Sequence, residues 1–469
     1  MGALDGENVG MTADLVESNI GFMFGQSAEL YRISSIVQAA IANAHNVDDA
    51  VADVLMTAGT AGVYGVNKAV AVQIAQNISS DLTTAAENLS RLATELRAQV
   101  DAQRAASSDG DGYADPGMSK AAAEKIFRKA MVDEGALGDM SPAEVRAWWR
   151  ALSAGQRREF LEKRHWVAGN TNGIPFGDRM VANRLNAEDY LRRHPDLERT
   201  DPEQHRYLSR VTDEFTDANG DGLDDDGRVR LISFDPGQDR IIEVVGDLNP
   251  NTTNIVNYVP GTAATMGGFY GGDTQKLATD IVAGHPERVA FVWKDGKFPP
   301  DLQPGDTDWV GNNSWAAQAG TSYTDFNLAL GFENPRSISV MSIEHSYGSS
   351  IGGYAESAGI HFDSRVALGG AGMTEKWVAD PDTTYISITG PVDFIHAVRG
   401  HFMEDRDLGY ATPPDSAHGW REVDSGHSNQ YGIDAPVAQH RDLPDTSLSR
   451  NVLPTIEEEL ERQARRGAA

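Results

Sequence analysis

The pattern of hydrophobic and polar residues changes along the chain. From Thr12 to about Ala105, apolar residues recur at helical spacing without proline, as in LSRLATELRAQV, which predicts a helical hairpin or small bundle over residues 1–105. The small and polar residues of ASSDGDGYADPGMSK then predict a linker over residues 106–140.

A second helical segment is predicted over residues 141–228. In SPAEVRAWWRALS, Ser141 can cap the first turn, and Glu144 stands where a capping box needs its carboxylate. We interpret Trp148 and Trp149, in the same stretch, as packing residues rather than as residues that stack on a ligand.

From Val229 onwards, short apolar or β-branched runs alternate with turns rich in Gly, Pro and Asn. Examples are RVRLISFD, RIIEVVGD, VAFVWKD, SISVMSIE and TTYISITG. Several are apolar almost throughout, as strands covered on both faces are, and helical stretches lie between some of them. The alternation predicts an α/β domain with a mainly parallel sheet over residues 229–450. An exposed C-terminal helix is predicted over residues 451–469.

Composition narrows the classes of function. The 469 residues include no cysteine, which excludes disulfides, thiolate metal sites and a cysteine nucleophile. The net charge of −29 repels phosphate backbones, so we do not expect a nucleic-acid partner. The N-terminus lacks the basic start and apolar core of a cleaved signal peptide, and no apolar run reaches the roughly 20 residues of a membrane span. We therefore expect a soluble protein without an integral membrane segment.

A serine at the end of one apolar run is the main candidate for chemistry. In SISVMSIEHSYGSSIGGY, a buried strand is predicted before Ser346 and a helix after it, so Ser346 lies at a strand-to-helix turn. In a nucleophile elbow this turn is so tight that glycine usually stands two positions before and two after the serine. Gly348 meets this need. Glu344 does not, so its side chain must point away from the adjacent strand or be held by a partner.

A serine hydroxyl becomes a good nucleophile when a base takes its proton and an acid orients that base. In this architecture the acid and then the histidine come later in the chain. Asp393 directly follows the apolar run TTYISITG, and His427 lies in a Gly/Ser-rich loop beyond it, so we expect a triad of Ser346, Asp393 and His427. The competing candidates are His345, His396, His401, His418, Asp405 and Asp424.

Acyl transfer also needs hydrogen-bond donors for the developing oxyanion. The backbone N–H of Tyr347, directly after the serine, supplies the first donor. Gly261 and Thr262 in YVPGTAATMGG supply the second, because glycine lets the backbone approach a substrate closely.

The stretch from about residue 141 to residue 431 resembles an α/β-hydrolase family long catalogued as a domain of unknown function in high-GC Gram-positive bacteria. The matching pieces are SPAEVRAWWRALS, GNTNGIP with ANRL, LISFDP through VVGDLNPNTTNIVNYVPGT, HSYGSS, ITGPVDFI and GHSNQYG. The resemblance implies an α/β-hydrolase fold with Ser346 as nucleophile, Asp393 as acid and His427 as base. It also implies that the Pro260 to Thr262 loop lies near the oxyanion.

These observations predict a serine ester hydrolase that acts on a small ester or lipid-like substrate and needs no cofactor for catalysis. Two departures from the family pattern leave an alternative open. Glu344 replaces the usual glycine, and GGAGM stands where a turn with Ser-Pro is common. The alternative is a catalytically weak or inactive hydrolase-fold protein that is secreted for binding or acts as an effector.

An Asp-rich loop, DANGDGLDDDG, is a candidate calcium site. Asp217, Asn219 and Asp221 carry oxygen ligands at alternating positions, Gly222 permits the turn, and Asp225 is a further ligand. The twelfth position is Arg228 rather than the bidentate Glu of an EF-hand, so the loop is more similar to single calcium loops of extracellular modules. The other interpretation is a solvated acidic turn.

The helices predicted over residues 1–105 resemble, in length and composition, the helical hairpins carried by type VII secretion systems. The predicted helices of residues 1–105 lack the Trp-x-Gly turn of those systems, and the C-terminal Tyr-x-x-x-Asp/Glu signal is absent from the sequence. The resemblance implies a secretion partner for these helices and export by a route other than Sec. The localisation itself stays open.

Overall fold

The computed structural model describes residues 118–213, 228–262, 264–299, 314–334, 338–374, 377–396, 412–427 and 435–467. The helical hairpin predicted over residues 1–105 and the Asp-rich loop of residues 217–225 lie outside the described residues. The chain divides into two units, Met1–Ala114 with Pro304–Gln318 and Asp115–Gln303 with Ala319–Ala469. The sheet and the candidate site belong to the second unit.

The second unit begins with a helical segment. Its helices are α1 (Lys120–Ala130), α2 (Pro142–Ala151), α3 (Ala154–Lys163), α4 (His165–Ala168), α5 (Phe176–Arg193), α6 (Leu197–Thr200) and α7 (Pro202–Thr212), with a 3-10 turn at Glu134–Leu137. The capping box predicted at the start of α2 is present, with both the Ser141 and the Glu144 hydrogen bonds formed. This arrangement satisfies two backbone donors that a helix start leaves unpaired.

Part of the predicted linker is helical instead. Residues 118–140 lie within the stretch predicted as a linker, yet they form α1 and the 3-10 turn. Phe127 of α1 is buried against Phe160, and the Trp148 indole N–H donates to the carbonyl of Ala123 over 3.2 Å. Because Trp148 and Trp149 are fully buried here, as predicted for packing residues, they stabilise a helix that local composition does not reveal.

Eight strands form one sheet of the order β1-β2-β4-β3-β5-β6-β7-β8. They are β1 (Arg230–Asp235), β2 (Arg240–Gly246), β3 (Asn254–Val259), β4 (Arg288–Asp295), β5 (Ser339–His345), β6 (Ser364–Leu368), β7 (Thr384–Thr389) and β8 (Arg421–Asp424). The β1–β2 and β2–β4 pairs are antiparallel, and all other pairs are parallel. The predicted α/β class with a mainly parallel sheet is therefore confirmed.

The remaining helices are α8 (Met266–Gly271), α9 (Lys276–Val282), α10 (Ser314–Glu333), α11 (Gly348–Ser357), α12 (Ala435–Arg441) and α13 (Val452–Gly467). The C-terminal helix α13 is not the exposed helix that we predicted from its charges. Val452, Ile456 and Leu460 recur at helical spacing along one face and are fully buried in the core with the central strands. None of the described helices combines the length and apolarity needed to cross a membrane.

Strand direction brings four chain segments to one edge of the sheet. Strands β3, β5, β6 and β7 run parallel, so the residues that follow them all leave at the carboxyl edge. These residues are Gly261, Ser346, Gly369 and Asp393. The carboxyl edge of a parallel sheet is the usual place for a binding site in this class of fold, and the candidate site lies there.

Candidate active site

Ser346 occupies a strained turn between β5 and α11. Its φ angle is +52°, one of two positive values among the described non-glycine residues. The backbone is held on both sides, because the Ser346 N–H donates to the carbonyl of Leu368 and its carbonyl accepts from the N–H of Ala371, each over 2.9 Å. Backbone strain of this kind persists where surrounding structure holds it and is common at functional sites. The predicted strand-to-helix turn at Ser346 is therefore present.

Two glycines allow close packing around this turn. A Cβ on Gly348 would lie 2.7 Å from the carbonyl oxygen of Val259 at the end of β3, closer than real Cβ atoms come. A Cβ on Gly261 would lie 3.0 Å from the Ser346 Cβ. The loop after β3, predicted to approach the serine, thus lies directly against it.

Three polar side chains form a hydrogen-bonded chain at Ser346. The Ser346 hydroxyl lies 2.8 Å from Nε2 of His440, and Nδ1 of the same ring lies 2.9 Å from Oδ1 of Asp393. All three residues are buried. Because the carboxylate accepts from Nδ1, the imidazole presents an unprotonated Nε2 to the serine hydroxyl. The arrangement can remove the serine proton and stabilise the imidazolium that results.

The charge of Asp393 suits this role. Burial would raise the pKa of its carboxyl group, but the hydrogen bond and charge of His440 and the N–H of Ile395 outweigh that effect and lower the pKa. The Ile395 N–H donates to the same Oδ1 over 2.9 Å. Asp393 is therefore ionised at neutral pH.

The sheet edge makes room for the His440 ring. Gly369, at a φ of +55° after β6, would place a Cβ 2.7 Å from Nδ1 of His440. Gln439 ties α12 to the loop after β7, because its side-chain oxygen accepts from the Val392 N–H over 3.1 Å. The GGAGM stretch, noted as a departure from the family pattern, thus supplies a glycine that this histidine requires.

The histidine of this site is His440, and the prediction of His427 is wrong. The ring of His427 is buried elsewhere, with Nδ1 2.8 Å from the Ser449 hydroxyl, and its backbone pairs with Ser449. Asp393 and Ser346 are brought together as predicted, but the histidine that joins them is His440 of α12. Both histidines follow Asp393 in the chain, so the order of residues favoured neither, and the Gly/Ser-rich loop of His427 was a misleading signal.

The competing candidates that the structure describes lie in other settings. The His418 ring bonds to Asp415, the exposed His396 ring bonds to the carbonyl of Gly390, and Asp424 is exposed and accepts from the Gly426 N–H. His345 adjoins the site and contacts the backbone of His440. His401 and Asp405 lie outside the described residues.

Glu344 is held away from the serine by a buried ion pair. Its carboxylate accepts from Arg365 over 2.6 and 2.9 Å and from the Ser342 hydroxyl over 2.8 Å. Arg365 also pairs with Glu356 over 2.6 Å. Burial would lower the pKa of Arg365, but the two carboxylates outweigh this and raise it, so the guanidinium stays charged. The sequence required the Glu344 side chain either to point away from the adjacent strand or to be held by a partner. The structure shows the partner, Arg365.

Two of the predicted oxyanion residues adjoin Ser346, because Tyr347 directly follows it in the chain and Gly261 packs against it. Tyr347 is the N-cap residue of α11, so its N–H lies at the positive end of that helix. Gly261 contacts the serine from the opposite loop. The Thr262 hydroxyl, next in the chain, is inaccessible to solvent and has no hydrogen-bond partner within the described residues.

Metal ligands were predicted at Asp217, Asn219, Asp221 and Asp225, which lie outside the described residues. In the part of the chain that is described, no group of three or more His, Asp or Glu side chains is arranged to hold a metal ion.

No protein-family model matches the chain, and neither the curated proteins nor the solved structures compared with it gave a significant match.

Proposed function

We propose that the protein is a serine hydrolase of the α/β-hydrolase fold that cleaves carboxylic esters through an acyl-enzyme at Ser346. The observation that carries the proposal is the hydrogen-bonded chain from Ser346 through His440 to Asp393 at a strained strand-to-helix turn. The order Ser, Asp, His along the chain is that of an α/β-hydrolase triad, and the position of the serine after a central parallel strand is that of a nucleophile elbow.

In acylation, the Ser346 oxygen attacks the ester carbonyl carbon while Nε2 of His440 takes the hydroxyl proton. Asp393 stabilises the imidazolium, which then gives its proton to the leaving alcohol as the carbon–oxygen bond breaks. In deacylation, a water molecule loses its proton to His440 and attacks the acyl carbon. The imidazolium then returns the proton to the Ser346 oxygen as the acyl–oxygen bond breaks, which releases the acid and regenerates the serine hydroxyl. The 2.8 Å distance between Ser346 and His440 allows the hydroxyl proton to pass without movement of the ring, and the 2.9 Å bond to Asp393 holds the ring in that orientation.

The oxyanion of each tetrahedral intermediate lies, in this proposal, between the N–H of Tyr347 and the loop of Gly261 and Thr262. The helix that begins after Tyr347 adds a favourable positive potential. A preorganised N–H donor contributes on the order of 3 kcal/mol to transition-state stabilisation.

Apolar side chains beside the triad favour an ester with an apolar group. Val392, directly before Asp393, is 44% exposed, and Val437, one helical turn before His440, is 57% exposed. Their segments meet where the Phe394 N–H donates to the carbonyl of Pro436, and the Phe394 ring packs edge-on against the His440 ring at 4.5 Å. An acyl or alkyl group bound at Ser346 can cover this apolar rim, which comprises Val392, Phe394, Pro436 and Val437.

The alternative, an inactive hydrolase-fold protein, was suggested by Glu344. Because Arg365 holds the Glu344 carboxylate away from the serine, the residue gives no support to that alternative. We therefore propose an active enzyme.

The proposal is tested with a fluorophosphonate probe, which reacts covalently with an activated serine. We expect the full-length wild type to be labelled at Ser346, and labelling to be lost in Ser346→Ala and His440→Ala. The matched control is Ser449→Ala, which removes another buried serine that contacts a histidine. Folded wild type that is not labelled, or labelling that persists in Ser346→Ala, would refute the proposal.

A further inference from the structure

His345 contacts the backbone of the histidine that serves Ser346. Its partly buried side chain extends from the end of β5, and its Nε2 lies 2.9 Å from the carbonyl oxygen of His440. A carbonyl oxygen only accepts hydrogen bonds, so Nε2 of His345 must carry the proton and donate. Among the described residues, the backbone N–H of Leu443 also donates to this carbonyl, over a longer distance of 3.4 Å.

The same ring touches two other parts of the site. The His345 and His440 ring centroids are 5.2 Å apart, and a Cβ on Gly261 would lie 3.1 Å from Nδ1 of His345. His345 thus lies between the serine turn, the loop after β3 and α12. Both of its neighbours in sequence are held in place. Arg365 binds the Glu344 carboxylate, and the Ser346 backbone is bonded to Leu368 and Ala371, so the backbone of His345 is held from both sides.

His440 lies near the end of a short helix, where backbone carbonyls need hydrogen-bond donors from outside the helix. α12 spans only Ala435–Arg441, and His440 is its second-to-last residue. The last carbonyls of a helix have no donor within the helix and must find one elsewhere. His345, next to the nucleophile, donates to the His440 carbonyl and so fixes the distance between the His440 backbone and Ser346.

We infer that His345 is a positioning residue that holds His440 against Ser346 by donating a hydrogen bond to the His440 backbone carbonyl. The inference rests on the proposed function. It goes further by giving the residue before the nucleophile a part in the reaction. His345 stays neutral in this role, because burial first and the neighbouring His440 second lower its pKa to about 4. A neutral ring adds no repulsion when His440 becomes an imidazolium.

Two substitutions separate positioning from packing. His345→Gln keeps an N–H donor at a similar reach, whereas His345→Leu keeps the apolar volume and removes the donor. The assay uses a p-nitrophenyl ester at a temperature well below the midpoint of thermal unfolding. We expect His345→Leu to lower kcat by about 10- to 100-fold with little change in KM. The reason is that a small misplacement of a catalytic group has effects of this size. We expect His345→Gln to retain most of kcat. The matched control is His427→Leu, which removes a buried histidine elsewhere in the fold together with its bond to Ser449, and it should leave kcat within about twofold of the wild type.

A second measurement does not depend on turnover. In protein labelled with ¹⁵N-histidine, the His345 resonances should identify the tautomer with the proton on Nε2 at pH 7. A proton on Nδ1 would overturn the inference, as would equal kcat in His345→Leu and the wild type. Wild type that a fluorophosphonate does not label would overturn the proposed function and this inference together. Normal labelling of the wild type with an unaffected His345→Leu would overturn this inference alone.

Discussion

The Glu344 carboxylate occupies the space that a side chain on Gly352 would fill. Glu344 lies at the end of β5 and Gly352 within α11, and a Cβ on the glycine would overlap the carboxylate oxygens. The absence of a side chain at Gly352 therefore lets the strand and the helix flanking Ser346 pack with a buried charge between them. The glycine that makes room at this turn is therefore Gly352 on helix α11, whereas the usual elbow glycine lies two residues before the serine.

Gly352→Ala should destabilise the protein although alanine is the better helix former. The added methyl group must displace the carboxylate from Arg365, and overpacking of this kind typically costs about 1–3 kcal/mol. The free energy of unfolding, measured by urea denaturation, checks this. The control is Gly331→Ala in α10, where no atom outside the local helix backbone lies within 4 Å of the added Cβ, so the protein should gain up to about 1 kcal/mol. Equal effects of the two substitutions would contradict the packing described for Glu344.

Glu344→Gly restores the usual elbow glycine, yet we expect it to lower stability rather than to raise activity. It leaves the buried Arg365 with Glu356 as its remaining carboxylate partner, and breaking a buried ion pair costs about 3–5 kcal/mol. Urea denaturation measures the loss, and ester hydrolysis measures activity. The control is Glu159→Gln, which removes an exposed ion pair with Lys163 and should cost less than about 1 kcal/mol. A more active and equally stable Glu344→Gly would show that the ion pair is not needed.

The sequence predicted the parts of the site that depend on local features. The strand before Ser346, the small residues after it and Gly348 are read from one short stretch, and Asp393 follows directly from a recognisable strand. Strand alternation likewise predicted the parallel sheet, because buried parallel strands are apolar on both faces. The loop of Gly261 was found because a glycine after a strand indicates close approach of the backbone.

Other features depend on contacts between distant residues. His440 lies 94 residues from Ser346, and no local pattern distinguishes it from His427. Its place is set by Gly369, whose lack of a side chain leaves room for the ring, and by the bonds of Gln439 and His345. The helix α1 was missed for a similar reason, because the aromatic residues that stabilise it come from another helix.

His440→Ala and His427→Ala should have opposite outcomes. Removing His440 takes the base from Ser346 and should lower kcat by at least roughly 10⁴-fold, as loss of a triad member does. Removing His427 breaks its bond to Ser449 and should affect stability by a few kcal/mol at most, with kcat retained in the folded fraction. Steady-state kinetics with a p-nitrophenyl ester, combined with thermal unfolding, distinguishes the two. Loss of kcat in folded His427→Ala would restore it as the base.

Burial of neutral His345 should make the protein less stable in acid. Its pKa falls from an ordinary value of 6.5 to about 4 on folding, so the unfolded chain binds this proton more readily. The contribution to stability is complete above about pH 6.5 and is lost as the pH falls towards 4, by up to about 3 kcal/mol. Urea denaturation across this pH range measures the slope. His345→Gln cannot bind that proton and should show a smaller loss, and identical slopes in both proteins would contradict the prediction.

The apolar rim beside the triad should set the preference for chain length in the ester. Val392→Ser and Val437→Ser together should lower kcat/KM for a p-nitrophenyl ester of about eight carbons by about tenfold, with little effect on the acetate ester. The reason is that each buried CH₂ contributes about 0.8 kcal/mol to binding and the acetate group is too short to reach the valines. The matched control is Val132→Ser with Val378→Ser, which changes two valines that are 82% and 80% exposed and lie elsewhere in the chain. If both double variants change the ratio of long- to short-chain activity equally, then the rim does not bind the substrate, and the apolar group must contact another part of the protein.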